Sequence, residues 1–375
     1  MIPLNFETYP FEKLNNLLNP ITPTEEYTPL SLTIGEPQFK TPQFILDELH
    51  DKSELLNKYP KTSGELELRQ GILTYLKNRF DLELTDEQII PTFGTREVLF
   101  NFPQFLLHDI PNSVMAFPNP FYQIYEGAAK ASRSEVIYMN LTAENNFQPT
   151  IDERDLERCD FVIINTPNNP TSSTILLDEL KKWVELALKY NFILLNDECY
   201  IDLYLDTPLP SLLNASIEVG NSEFKNILVI NSISKRSSAP GLRSGFIAGD
   251  AKILKEYMTY RTYVGCASPL PLQHAAAVAW ADQTHVDGFR AKYIRNFEIA
   301  KEVLGIEPPL ATFYIWLAVD DEIEFTTRLY KEYNLKVIPG SFLGREGQGQ
   351  GFVRLALVYE EEKTREALER IKKAL

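Results

Sequence analysis

An α/β protein with a mostly parallel central sheet and a second, smaller α+β unit is the fold the sequence predicts, on three observations. From about 41 to 250 helical periodicity alternates with short apolar runs. Those runs are apolar throughout rather than every second residue, as strands covered on both faces are. Beyond Pro271 the texture changes to a long helical region, short strands and a closing amphipathic helix.

Taken in order, the proline-rich segment through Pro37 joins the smaller unit, and helical spacing covers 65–78 and 95–107. The run at 114–117 is apolar and too short for a helix, so it reads as a strand, as do 161–165, 192–196 and 227–231. Helical spacing returns over 178–189. The region from 271 through 304 reads as helical, 312–319, 336–338 and 352–357 as strands, and 363–375 as the last helix. A Gly/Gln-rich loop fills 344–351, and no internal repeat is present. The expected division is a large unit over 41–270, a small one from 1–40 and 285–375, and a connecting helical region at 271–284. Ligands of such a sheet sit at the C-terminal ends of its strands.

Composition removes several classes. Lys plus Arg number 37 against 52 Asp plus Glu, a net charge of −15, the wrong sign for a phosphate-backbone binder, so no nucleic-acid partner is expected. Three scattered cysteines, Cys159, Cys199 and Cys266, fit a reducing compartment, and residues 1–16 lack the pattern of a signal peptide, so a cytoplasmic location is expected. The uncharged stretch 262–281 carries Pro269, Pro271, Gln273 and His274 and fails as a membrane span. Four histidines without ligand spacing argue against a metal site.

The chemistry-bearing residues follow apolar strands. Ser232-Ile-Ser-Lys-Arg-Ser-Ser-Ala-Pro-Gly-Leu-Arg243 places two hydroxyls, a lysine and an arginine where a phosphate could be held while Lys235 reaches a carbonyl. Asp197 could keep a ring nitrogen protonated, and Tyr200 could donate to a phenolate. In Asn165-Thr-Pro-Asn-Asn-Pro-Thr171, Asn169 offers an amide to a ring oxygen. Gly94-Thr95 opens a helix whose free amides suit phosphate. Each alone reads equally as ordinary structure: a loop lysine, a helix N-cap, a turn, a helix start.

Together and in this order, Gly94-Thr95, Tyr122, Asn169-Pro170, Asp197 with Tyr200, Ser232-x-Ser234-Lys235 and Arg243 resemble the pyridoxal-phosphate (PLP) aminotransferases of fold type I, class I/II. Gly35-Glu-Pro37, Tyr59, Gly64, Leu68-Arg69, Pro339-Gly340 and Phe352-Val-Arg354-Leu extend the resemblance over nearly the whole chain. It implies that Lys235 forms the internal Schiff base and shuttles the proton, that Asp197 pairs with the pyridinium, and that Tyr200 and Asn169 donate to the ring oxygen. Tyr122 would stack on the ring, with Phe121 as the alternative. Gly94, Thr95, Ser232, Ser234 and Arg243 would hold the phosphate, Tyr59 reaching it from the partner subunit of a homodimer. Arg354 would clamp the substrate α-carboxylate beside Gly35. Ser172 stands where the family usually has glycine.

The resemblance implies transfer of an amino group, with glutamate as donor, to a keto acid by a ping-pong route. The stretch 234–250 and Tyr260-Arg-Thr-Tyr263 resemble in particular the succinyldiaminopimelate aminotransferases of lysine biosynthesis. Aspartate aminotransferases and PLP-dependent carbon–sulfur lyases share the cofactor residues and stand as alternatives. Arg96 and Arg261 are the cations weighed for a distal substrate carboxylate.

Overall fold

The computed structural model describes residues 6–375; residues 1–5, assigned with the rest of 1–40 to the smaller unit, lie outside the described residues. Seven strands form one sheet in the order Ile89–Thr92, Gly245–Gly249, Ile227–Ser232, Ile193–Asp197, Phe161–Asn165, Val114–Asn119, Glu135–Asn140. Every pairing is parallel except the two made by Gly245–Gly249. Phe161–Asn165 and Ile227–Ser232 are buried along their whole length, which is why they carry no polar alternation. Helix Leu177–Tyr190 joins two neighbouring parallel strands as their crossover.

Three strands of this sheet escape a reading by hydrophobic run, each for its own reason. Ile89–Thr92 contains Pro91 and lies at one edge, where a missing donor is tolerated. Glu135–Asn140 is the other edge and only half buried. Gly245–Gly249 is bounded by glycines, which in sequence read as turns. At Gly249, φ is 136° and a Cβ would come 2.1 Å from the Ile227 carbonyl, so only glycine lets the strands approach.

The helical region after Pro271 is two helices, Leu270–Ala281 and Thr284–Leu304. They part at Asp282, whose carboxylate accepts the amide of His285 at 3.0 Å. The apolar stretch at 336–338 also divides. Leu335–Lys336 pairs in parallel with Leu30–Ser31, while Ile338–Pro339 lies antiparallel to Phe352–Ala356, which in turn pairs with Tyr314–Ala318. The early chain is thereby bonded to the late one: Leu32 N donates to Lys336 O at 2.8 Å and Ala356 N to Leu32 O at 2.8 Å. Leu32, Phe297, Ile315, Leu329, Val353 and Leu368 form a core here separate from those on the large sheet. Helices Pro10–Leu18, Gln43–Asp51, Ile124–Ser132, Leu212–Glu218 and Ala251–Val264 complete the elements that bear on the site.

Candidate active site

Three neighbouring parallel strands end in Asn165, Asp197 and Ser232, and all three side chains border a cavity of about 830 Å³. Its place at the C-terminal edge of the sheet is where helices begin and backbone amides point outward.

Lys235 sits in the one-turn helix Ile233–Arg236, capped by the Ser232 hydroxyl, which accepts the amide of Ser234 at 3.2 Å and lies 2.8 Å from the Ser234 hydroxyl. Its ammonium donates to the Gly35 carbonyl. One face opens to the cavity, and burial of the rest pushes the ammonium down to about 8. Asp197 accepts from the Tyr125 hydroxyl at 2.8 Å and from the Cys199 amide at 3.2 Å. No Lys or Arg among the described residues pairs with it, and burial holds its carboxyl above the usual range.

Tyr200, buried, lies with its hydroxyl 3.0 Å from that of Tyr314. Asn169 is fixed by its amide on Asn165 Oδ1 at 2.8 Å and accepts from Arg354 Nη1 at 2.7 Å. Arg354 also donates from Nη2 to the Thr33 carbonyl at 2.5 Å, and its buried Nε has no partner among the described residues. Gly35 passes so close that a Cβ would stand 1.9 Å from the Tyr314 hydroxyl.

At the other end, Gly94 has φ 75°, and a Cβ there would meet Arg243 Nη2 at 2.5 Å, so a side chain would close the cradle between Arg243 and the start of helix Thr95–Leu107. Thr95 and Arg243 both line the cavity. Tyr122 forms its wall and accepts from Arg96 Nε at 2.9 Å. Phe121 instead is 1% exposed and packs on Phe117 and Tyr138, with centroids 5.1 and 5.9 Å away, so Tyr122 is the aromatic that faces the cavity.

One expectation changes. Arg261 is closed off from any ligand, its guanidinium held by the Glu97 carboxylate through two bonds of 3.0 Å, buried between helices. Arg96 remains on the cavity wall, and no carboxylate among the described residues pairs with it. Tyr59 lies outside the cavity with its ring fully exposed. Ser172 does take up the left-handed backbone that favours glycine, at φ 62°, and its hydroxyl offsets the strain by bonding Thr312 Oγ1 at 2.7 Å and the Tyr314 carbonyl at 2.9 Å.

The sequence reading did not single out Tyr125, Cys199 or Tyr314. Tyr125 lies three residues past Tyr122 and Cys199 two past Asp197, so spacing placed both near the site, yet neither is chemically distinctive in sequence. Cys199 meets the Thr95 hydroxyl at 3.2 Å, and burial pushes its thiol up. The cavity thus offers an amine of lowered basicity for a carbonyl, a buried carboxyl lacking a cation for a protonated ring nitrogen, an amide cradle beside Arg243 for a phosphate, and a guanidinium with a spare donor for a carboxylate. Those four together fit pyridoxal phosphate and an amino acid.

The sequence pattern of the family described as aminotransferase class I and II matches residues 27–371. The LL-diaminopimelate aminotransferase of Maridesulfovibrio salexigens is 28% identical over 92% of this chain and 91% of its own. The crystal structure of aminotransferase AspB from Helicobacter pylori superposes with a TM-score of 0.97 at 48% identity, covering 99% of both chains. An aminotransferase from Neisseria meningitidis superposes with a TM-score of 0.93 at 39% identity, over 98% of this chain and 97% of its own.

Proposed function

The chain belongs to the class I and II aminotransferases, PLP-dependent enzymes of fold type I, and on that premise we propose that it passes the amino group of glutamate to a keto acid with a distal carboxylate, the precursor of succinyldiaminopimelate first among them. The observation that carries the site assignment is the pairing, in one cavity, of an amine of lowered basicity, Lys235, with a buried carboxyl that has no cation partner among the described residues, Asp197.

When bound, pyridoxal phosphate supplies an electron sink for the pair left as the substrate Cα–H bond breaks. Lys235 Nζ takes that proton and returns it, as a neutral amine of pKa near 8 can in either direction. Asp197 holds the ring nitrogen protonated, itself oriented by Tyr125 and the Cys199 amide. Tyr200 and Asn169 donate to the ring oxygen, and Tyr122 covers one ring face. The amides at Gly94 and Thr95, the hydroxyls of Ser232 and Ser234, and Arg243 hold the phosphate, with Tyr59 added from the partner of a cytoplasmic homodimer. Arg354, which lines the cavity and whose Nε has no partner among the described residues, binds the α-carboxylate, and Gly35 leaves room for it.

The substrate reading rests on Arg96. Its Nε is engaged by Tyr122, which sets the plane of the guanidinium, while no acid among the described residues neutralises it. The relative named for LL-diaminopimelate and the resemblance to succinyldiaminopimelate enzymes share a skeleton with a second carboxylate. The division at 41–270 against 1–40 and 285–375 belongs to the same proposal, supported by the separate core around Leu32 and Val353.

The test compares wild type with Arg96→Ala on succinyldiaminopimelate, LL-diaminopimelate, aspartate and alanine. The variant is expected to lose about tenfold or more in kcat/KM for substrates with a distal carboxylate, the worth of one charged hydrogen bond, and less than about twofold for alanine. Equal losses on all four would remove Arg96 from recognition. A wild type that prefers aspartate over both diaminopimelates would replace the proposed substrate.

A further inference from the structure

Tyr314 opens the strand Tyr314–Ala318 and touches two residues that serve different partners in the proposed site, on which reading this inference rests. Its hydroxyl lies 3.0 Å from that of Tyr200, its one hydrogen-bond partner among the described residues. Its ring lies under the guanidinium of Arg354, with Cζ 4.5 Å from the centroid. The backbone around it is pinned: its amide donates to Thr312 Oγ1 at 3.0 Å, its carbonyl accepts from Ser172 at 2.9 Å, and it pairs across the strand with Ala356. Gly35 passes where no side chain could, with room only for the tyrosine hydroxyl.

Of two adjacent buried hydroxyls, one donates and the other accepts. A Tyr200 that accepts from a neighbour keeps its own proton for the ligand; a Tyr200 that donates to the neighbour has none to give. We propose that Tyr314 is a positioning residue for both halves of the site: its hydroxyl donates to Tyr200 and so commits the Tyr200 proton to the ring oxygen of the cofactor, while its ring holds the guanidinium of Arg354 in the plane that meets the α-carboxylate. The hydroxyl therefore acts on the cofactor and the ring acts on the substrate, and the two roles separate in two substitutions.

A donor on the ring oxygen disperses the charge that favours the protonated, visible-absorbing form of the bound cofactor. Weakening that donor raises the pH at which the visible band titrates. In holoenzyme, Tyr314→Phe is expected to raise this midpoint by about half a pH unit or more, in the same direction as Tyr200→Phe and by less, with KM for amino acids within about twofold of wild type. The pair Tyr200→Phe with Tyr314→Phe should titrate as Tyr200→Phe alone, because Tyr314 acts only through Tyr200; two independent structural effects would add. Tyr314→Leu should in addition raise KM for every amino acid by about 2- to 30-fold, the range of a cation–π contact.

A midpoint unchanged in Tyr314→Phe, or a double variant whose shift is the sum of the two, overturns the hydroxyl's role. A Tyr314→Leu with unaltered KM overturns the ring's role. A wild type without a titrating visible band, or a band that survives Lys235→Ala, fails at the reading of the site itself and takes this inference with it.

Discussion

Lys235 sits where its charge is least welcome, buried on most sides, with Arg354 and Arg243 adding repulsion and Glu36 opposing them. A lysine lowered to about 8 is a protonated, unreactive ammonium below that pH and a nucleophilic amine above it. Mixing the apoenzyme with PLP and following the visible band should therefore show a capture rate that climbs about tenfold per pH unit up to about 8 and then levels. A plateau reached only near the ordinary lysine range would show that burial does not tune this amine. Lys235→Ala should form no such band while still holding PLP through its phosphate and ring contacts. Tyr200 and Tyr125 shift in the opposite sense: burial holds both well above the ordinary tyrosine value, so they serve as donors at every working pH.

At the scale of elements, the loop after Ile193–Asp197 and the turn carrying Lys235 are tied by one buried carboxylate. Asp202 accepts from Arg236 Nε at 2.9 Å, Arg79 Nε at 3.1 Å and the Tyr75 hydroxyl at 3.0 Å. Arg236, next to Lys235, is 1% exposed and spends its other nitrogens on Ala279 O, Asp282 O and Gln283. Helix Leu66–Phe80 contributes both Tyr75 and Arg79, so three segments share this centre. Asp202→Ala would leave two guanidiniums buried without a counter-charge, and urea denaturation should register a loss of about 3–5 kcal/mol. Asp202→Asn, which keeps acceptor geometry without the charge, should lose less. If the two variants are alike and lose under about 1 kcal/mol, water reaches the cluster and the tie is not structural.

At the scale of the whole molecule, the charge of −15 is not mirrored in the cavity, where Lys235, Arg96, Arg243 and Arg354 stand against Glu36, Asp197 and a Glu97 already paired with Arg261, a lining suited to an anionic ligand. At the surface, Leu56, Tyr59 and Tyr263 are 73, 100 and 88% exposed, large apolar side chains of the kind a second copy covers. Sedimentation of the holoenzyme should give a dimer, and Tyr59→Phe should raise the dissociation constant for PLP by about tenfold, one hydrogen bond to a charged phosphate. A monomer with full PLP affinity would contradict the placement of Tyr59 across the interface.

The apolar runs at 161–165 and 227–231 told of buried parallel strands directly, because a strand covered on both faces has no polar residue to hide. For the same reason the polar groups just past them, Asn165, Asp197 and Ser232 with Lys235, could be read as one edge of one sheet. The edge strand with Pro91 and the inner strand bounded by glycines carried no such signal, since their pairing depends on partners distant in the chain. The tertiary structure alone brought Tyr314 beside Tyr200 and Arg354, removed Arg261 by pairing it with Glu97, and turned Phe121 into the core and Tyr122 toward the cavity. A residue's chemistry and its local backbone are written in its own neighbourhood of sequence. Which charge is neutralised and which hydroxyl has a partner is decided by contacts among residues more than a hundred positions apart, as Tyr200 and Tyr314 are.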